Sequence, residues 1–283
     1  MSCPHSRSRR SFVGLLGLGA ALVACGGPVA PAPGPSGAAP SRGGASSGAV
    51  PSPDLVPPAP VLPPRAGPGG SVVLRGGPPE AGPARRIALT VDDGFCADCV
   101  SGYVAFAQRS GVHLTFSPNG RYAPMWEPQA ATLRPLIEAG QVQLMNHTYQ
   151  HRSLPGLPPG TIRGELERNE EWVGTAFGTS TAPYYRPPYG RHTPAVDEVA
   201  AGVGFDRVVL WDGSYSDSEL ITPQFLMAQA RRYLAPGVIL LGHANHPTVL
   251  GLFDQILDLL EQRALTTVTI DELFGTRRPP PRR

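Results

Sequence analysis

The chain has 283 residues, with 34 Gly, 34 Pro, 41% hydrophobic residues, 16% charged residues and a formal net charge of +2. About half of the prolines fall between Gly26 and Arg85, in a stretch too poor in apolar residues to build a core, which leaves roughly 195 residues for one well-buried domain. Charge so near neutrality gives no basis for nucleic-acid binding, and because all 24 basic residues are Arg, lysine nucleophiles and Schiff bases are excluded.

The first 25 residues read as a targeting segment. Arg7, Arg9 and Arg10 precede an apolar run from Phe12 to Ala24, a positive n-region followed by an h-region too short to span a bilayer comfortably. Its end, Leu22-Val-Ala-Cys25, resembles the lipobox of bacterial lipoproteins, which implies acylation of Cys25; Ser8-Arg-Arg-Ser-Phe12 resembles a twin-arginine export signal. The alternative is an ordinary signal peptide with an incidental Cys. Segment 26–85 then reads as a Pro/Gly/Ala/Ser-rich disordered linker. Polyproline-like stretches extend by ~3.1 Å per residue, so it would hold a domain at 86–276, followed by an Arg/Pro-rich tail at 277–283, away from a membrane.

Within that domain, short apolar runs alternate with helical patterns. Strands are expected at Ile87–Val91, Val112–Phe116, Val142–Met145, Arg207–Trp211, Val238–Leu241 and Thr267–Ile270. Helices are expected near Gln129–Ala139 and near Thr161–Phe177, the second carrying Ile162, Leu166, Val173 and Phe177 on one stripe. Another is marked by Phe253, Ile256, Leu257 and Leu260 at i, i+3, i+4, i+7. Such alternation implies a parallel sheet, open or closed into a barrel, and chemistry in these folds gathers at the carboxyl ends of strands.

Polar clusters sit at those ends. Asp92 and Asp93 close the first strand, where successive side chains point to opposite sides, so adjacent carboxylates take different tasks, one on a metal and one on a proton. Asp-Gly is also a common turn. His147 and His151, four residues apart, can reach one ion, although lone histidines are often structural. In Arg186-Pro-Pro-Tyr-Gly190, two prolines stiffen the backbone, which fixes a guanidinium and an N–H donor or merely makes a rigid loop. His243 ends a late strand, with His246 beyond, and Trp211-Asp-Gly-Ser-Tyr-Ser-Asp217 supplies two carboxylates.

In this order the five clusters resemble the polysaccharide deacetylases, the NodB-homology carbohydrate esterases of family 4, over about Arg86 to Phe274. The resemblance implies an α/β fold, a distorted (β/α) barrel with fewer strands than the eight-fold form. It also implies metal-assisted hydrolysis of an N-acetyl, less often O-acetyl, group on a polysaccharide. By that resemblance Asp93, His147 and His151 hold one divalent ion, with zinc favoured and cobalt or manganese as substitutes. Asp92 is the general base, Arg186 holds it ionised, and the Tyr189 N–H helps stabilise the oxyanion. His243 is the general acid, supported by Asp217, with Asp212 as the alternative. The expected partners are an acetylated glycan, peptidoglycan first, and a membrane reached through Cys25; no nucleic acid is expected, and the chain is expected to be a monomer. A glycan-binding lipoprotein on a degenerate deacetylase fold is the competing reading.

Two departures stand out. Where the family often has Asp three residues after the Trp, this chain has Ser214, and where Asp commonly follows the fifth-motif His it has Ala244-Asn-His246. Cys96 and Cys99 lie directly behind the Asp pair, outside the family pattern. A zinc site would need two further ligands, and the other cysteines, Cys3 and Cys25, belong to the targeting segment, so a disulfide is expected outside the cytoplasm. Its role is a structural staple, with a redox or substrate-contacting role as the alternative.

Overall fold

The computed structural model describes residues 70–78 and 85–275. The targeting segment, most of the 26–85 segment and the 277–283 tail lie outside those residues.

The central strand is β2 (Arg86–Asp93), which has seven consecutive buried residues, the mark of a parallel strand covered on both faces. Strands β3 (Leu114–Pro118) and β4 (Val142–Leu144) extend the sheet on one side; β8 (Ile239–His243) and β7 (Gly213–Ser214) extend it on the other, giving the order β4-β3-β2-β8-β7. A second sheet has the order β1-β6-β5, from β1 (Val72–Leu74), β6 (Arg207–Val209) and β5 (Tyr184–Tyr185). Two links close the path between the sheets. β7 begins four residues after β6 ends, and Asn146, just beyond β4, forms a parallel bridge with Tyr185 of β5. The result is a distorted barrel, and each strand pairing from β1 to β8 is parallel, as is that of β9 (Thr266–Val268) with the start of β2.

Alternation along β2 sorts its residues between two cores. Ile87, Leu89 and Val91 point to the outer cluster, under the helices α1 (Ala97–Ser110) and α7 (Phe253–Gln262). Ala88 points inward, to a cluster with Met145, Tyr184, Val209 and Ile239 that α8 (Ile270–Phe274) closes. Thr90 and Asp92 therefore share the inner side with Ala88.

The helices obey their apolar spacing. α1 buries Val100, Tyr103, Val104 and Phe106, each contributing about 1.5–3 kcal/mol if fully buried, and the Phe106 ring stacks on Phe253 at 4.4 Å. It ends at Gly111, whose positive φ lets its N–H reach the Ala107 carbonyl. The predicted stripe Ile162, Leu166, Val173 and Phe177 is buried along α4, whose span is Pro159–Phe177 once α2 (Ala123–Trp126) and α3 (Ala130–Glu138) are counted before it. The remaining helices are α5 (Pro194–Ala201) and α6 (Pro223–Tyr233).

Two sequence expectations are corrected. β1 lies inside the 26–85 segment read as linker: Val72–Leu74 pairs in register with Arg207–Val209 and buries Leu74, so the folded part starts before residue 86. The run Thr267–Ile270 is not one strand. β9 stops at Val268, and Thr269 caps α8 through a capping box, its hydroxyl accepting from the Glu272 N–H while the Glu272 carboxylate accepts from the Thr269 N–H.

Candidate active site

Asp92, Asp93, His147, His151, Tyr189 and His243 line one cleft of about 640 Å³ at the carboxyl ends of the strands. They arrive from four strand ends or the loops that follow them: Asp92 and Asp93 from β2, His147 and His151 after β4, Tyr189 after β5 and His243 from β8. Five of the six non-glycine residues with positive φ among the described residues lie in these loops: Asp93, Thr148, His151, Tyr189 and Ser216. Each such position costs on the order of 1–3 kcal/mol, and such strain collects where geometry serves a function.

Asp92 and Asp93 diverge as their alternation requires. The Asp92 carboxylate accepts from Arg186 Nη1 at 2.8 Å, and Arg186 is fully buried. The guanidinium also donates to Thr90 Oγ1 at 2.9 Å and to the carbonyls of Val209 and Leu210 at 3.1 and 3.3 Å. Burial opposes ionisation of Asp92, yet Arg186, His147 and His243 together hold its pKa below the usual carboxylate value.

Asp93 takes a left-handed φ of 68° and turns toward the histidines. Its Oδ1 lies 3.5 Å from His147 Nε2 and 3.2 Å from His151 Nε2, while its Oδ2 accepts from Asn245 Nδ2 at 2.8 Å. The next residue must be glycine. Gly94 has φ 109°, and a Cβ there would lie 2.1 Å from Trp126 Nε1, which itself donates to the Asp93 carbonyl at 2.8 Å.

His147 donates from Nδ1 to the Arg186 carbonyl at 2.7 Å, which leaves Nε2 facing the carboxylates. Beneath it lies an asparagine lattice. Asn119 Nδ2 donates to the carbonyls of His147 and Thr148, Asn146 Oδ1 accepts from the Thr148 N–H, and Asn169 ties Asn146 to the Gly120 N–H. Glu165, also buried, accepts from the Gln150 N–H at 2.7 Å and so holds the loop that carries His151.

Asp93, His147 and His151 offer ligand atoms within 4.8 Å of one another, and the residues fit a divalent cation on two counts. Asp93 Oδ1 is buried and accepts no hydrogen bond, although it points at two imidazole nitrogens. The donor set also suits a cation, since one carboxylate and two imidazoles are the usual ligands of a borderline divalent ion. Burial pulls the His147 pKa down, but the two aspartates outweigh it and hold it above the ordinary value. Burial and His147 push His151 down to about 4, so its nitrogen is a neutral donor at neutral pH, as a ligand must be.

At the far side of the cleft, His243 Nδ1 pairs with Asp217 Oδ1 at 2.9 Å, and the His243 N–H donates to Asp217 Oδ2 at 3.1 Å. Asp217 is buried. Asp212 is engaged elsewhere, accepting from the Ile239 N–H at 2.8 Å, so the geometry selects Asp217. Burial disfavours the His243 imidazolium, and the Asp217 hydrogen bond and charge overturn this, raising its pKa above 6.5.

Two functional side chains were invisible in the motif pattern. Asn245, read only as a departure after His243, turns to Asp93, and its Oδ1 accepts from the Gly94 N–H at 3.2 Å. Trp126 comes from a helix that carries no motif. The expected disulfide joins Cys96 and Cys99, and the Cys96 sulfur caps α1 by accepting from the Cys99 N–H.

The comparisons agree with this geometry. The polysaccharide deacetylase family profile matches residues 80–208. A peptidoglycan-N-acetylglucosamine deacetylase of Listeria monocytogenes is 28% identical over 205 residues, covering 70% of this chain and 41% of that enzyme. The chain therefore spans less than half the length of that relative. A solved peptidoglycan N-acetylglucosamine deacetylase superposes with a TM-score of 0.64 at 22% identity, over 73% of this chain and 94% of its own. A family 4 pseudoenzyme of Bacillus anthracis superposes with a TM-score of 0.63 at 19% identity, over 74% of this chain and 71% of its own. At these identities the two structures speak to the fold alone. These matches support reading the described domain as a polysaccharide deacetylase domain, of the NodB-homology type that defines carbohydrate esterase family 4.

Proposed function

We propose that the protein is a metal-dependent hydrolase that removes N-acetyl groups, or O-acetyl groups, from an envelope polysaccharide, with peptidoglycan the favoured substrate. The observation that carries this reading is the division of labour between adjacent aspartates: Asp92 bonded to a buried guanidinium, Asp93 aimed at two imidazoles.

Asp93 Oδ1, His147 Nε2 and His151 Nε2 would hold the divalent ion, for which zinc suits a set of one carboxylate and two imidazoles. When bound, such an ion polarises the acetyl carbonyl and makes water more acidic. The protein's own groups supply the rest. Asp92, kept ionised by Arg186, accepts the proton of the attacking water at its free oxygen. Arg186 orients that carboxylate through one N–H, and its three further bonds, to Thr90, Val209 and Leu210, fix the planar guanidinium in a way no flexible ammonium could match. Tyr189, which lines the cleft with its backbone held at φ 61°, would offer its N–H to the developing oxyanion. His243, with Nδ1 committed to Asp217, has Nε2 to protonate the departing amine.

The experiment is acetate release from a panel of acetylated glycans, with and without chelator, by wild type and by Asp92→Asn. The competing reading, a glycan binder without turnover, draws on the pseudoenzyme neighbour, and chelator-insensitive binding with no acetate from any glycan would establish it. Retention of Asp92 and its Arg186 partner favours the enzyme.

Lipid anchoring at Cys25 would keep the domain near the envelope and fits a wall substrate. Partitioning into the detergent phase should be lost in Cys25→Ser; partitioning that survives the substitution would sink the anchor.

A further inference from the structure

We infer that Phe95 is a sugar-stacking platform, a specificity-determining residue that binds a pyranose of a β-linked glycan beside the reacting acetyl group, and that the Cys96–Cys99 disulfide holds it there. This rests on the deacetylase reading for the acetyl group but not for the glycan contact. Among the described residues, the large apolar side chains that stand exposed are Val73, Phe95, Tyr189, Leu220 and Phe225. Only Phe95 and Tyr189 among these line the cleft. An exposed aromatic anywhere else needs no explanation; two at the edges of a polar cleft suit a ligand with apolar faces and polar edges. A β-linked pyranose with equatorial substituents is such a ligand, because its axial C–H bonds make a flat apolar face.

The Phe95 ring packs against neighbours although the residue is 44% exposed. Tyr122 meets it edge-on at 5.9 Å and His246 at 5.5 Å. The flanking backbone is tied on both sides. The Gly94 N–H donates to Asn245 Oδ1 at 3.2 Å, and the Cys96 N–H to the Ala244 carbonyl at 3.4 Å. Cys96 is then locked to Cys99, which is fully buried in the first turn of α1. A ring ordered before binding loses little entropy when a sugar stacks on it, and that preorganisation is where affinity comes from.

The test is calorimetric binding of a β-1,4-linked N-acetylglucosamine oligomer to the full chain. Wild type should bind, and Phe95→Ala and Phe95→Leu should both weaken binding about ten-fold, the size of one aromatic contact. Phe95→Leu keeps the apolar volume without the flat ring, so its loss separates stacking from packing. Phe95→Trp should restore affinity. Cys96→Ser with Cys99→Ser should weaken binding in the same direction while Phe95 remains. Equal affinity of Phe95→Leu and wild type, or no binding by wild type, would overturn the platform. Acetate release from the same oligomer and from the glycan panel is scored separately: Phe95-dependent binding with no release from any of them keeps the platform and removes the deacetylase reading, and release with Phe95-independent binding does the opposite.

Discussion

Arg186 Nη1 reaches Asp92 Oδ1 at 2.8 Å from a side chain with no exposed surface, against an Asp92 side chain that is itself 3% exposed. A buried pair of this kind is more informative about chemistry than about stability, since an apolar pair of equal volume is often as stable. Breaking it from one side is another matter. Arg186→Met leaves Asp92 as an uncompensated buried charge and should cost about 3–5 kcal/mol in denaturant unfolding near pH 7. The sign with pH follows from linkage. Asp92 is held below its ordinary pKa, so its contribution is present above the unfolded value of 3.8 and is lost as pH falls through the folded one. Without Arg186 the folded pKa rises, and the acid limb of the pH–rate profile should move to higher pH. An unmoved acid limb would mean that Asp92 is not the base.

The two aspartates should separate cleanly by metal content. Asp92→Asn should keep the divalent ion and lose turnover by about 10²–10⁴-fold. Asp93→Ala, His147→Ala and His151→Ala should each lose ion and activity together. Loss of the ion from Asp92→Asn would exchange the roles assigned to the two carboxylates.

Asn245 fixes Asp93 from behind while bonding the Gly94 N–H. Asn245→Ala frees the carboxylate to rotate, and metal affinity should fall about 10–100-fold, the usual effect of removing a group that orients a ligand. Competition with a chromogenic chelator measures this directly. Unchanged affinity would assign Asn245 to the Gly94 turn alone.

The site was legible in the sequence where chemistry sits at strand ends. Asp92, Asp93 and His243 terminate apolar runs, and the His147–His151 spacing and the Arg186-Pro-Pro-Tyr-Gly190 loop are local features, so each is visible without the fold. Asn245 was not legible in this way, because its partner Asp93 lies 152 residues away and only the pairing of β2 with β8 brings them together. The three residues of β1 escape notice for a similar reason. Their strand character comes from the edge of β6 that they complete, not from a pattern long enough to register among prolines and glycines. Helix α8 was a different failure: Thr269-x-x-Glu272 carries a capping box, but the β-branched run before it masks the start.

If His243 is the general acid, its pairing with Asp217 should set the alkaline side of activity. A general acid must carry its proton at working pH, and Asp217 raises the His243 pKa by favouring the imidazolium against the burial that disfavours it. The stability linked to this pair is fully present below pH 6.5 and is lost as pH rises through the higher folded value. Asp217→Asn removes the charge and leaves burial unopposed, so the alkaline limb of the pH–rate profile should move to lower pH. His243→Ala should lose about 10²–10⁴-fold in turnover with metal still bound. Asp212→Asn is the internal control. Asp212 accepts from the Ile239 N–H and does not touch His243, so its substitution should lower thermal stability and leave the limb where it is. A limb that shifts with Asp212→Asn but not with Asp217→Asn would contradict the 2.9 Å pairing, and a limb that shifts with neither would take the general-acid role away from His243.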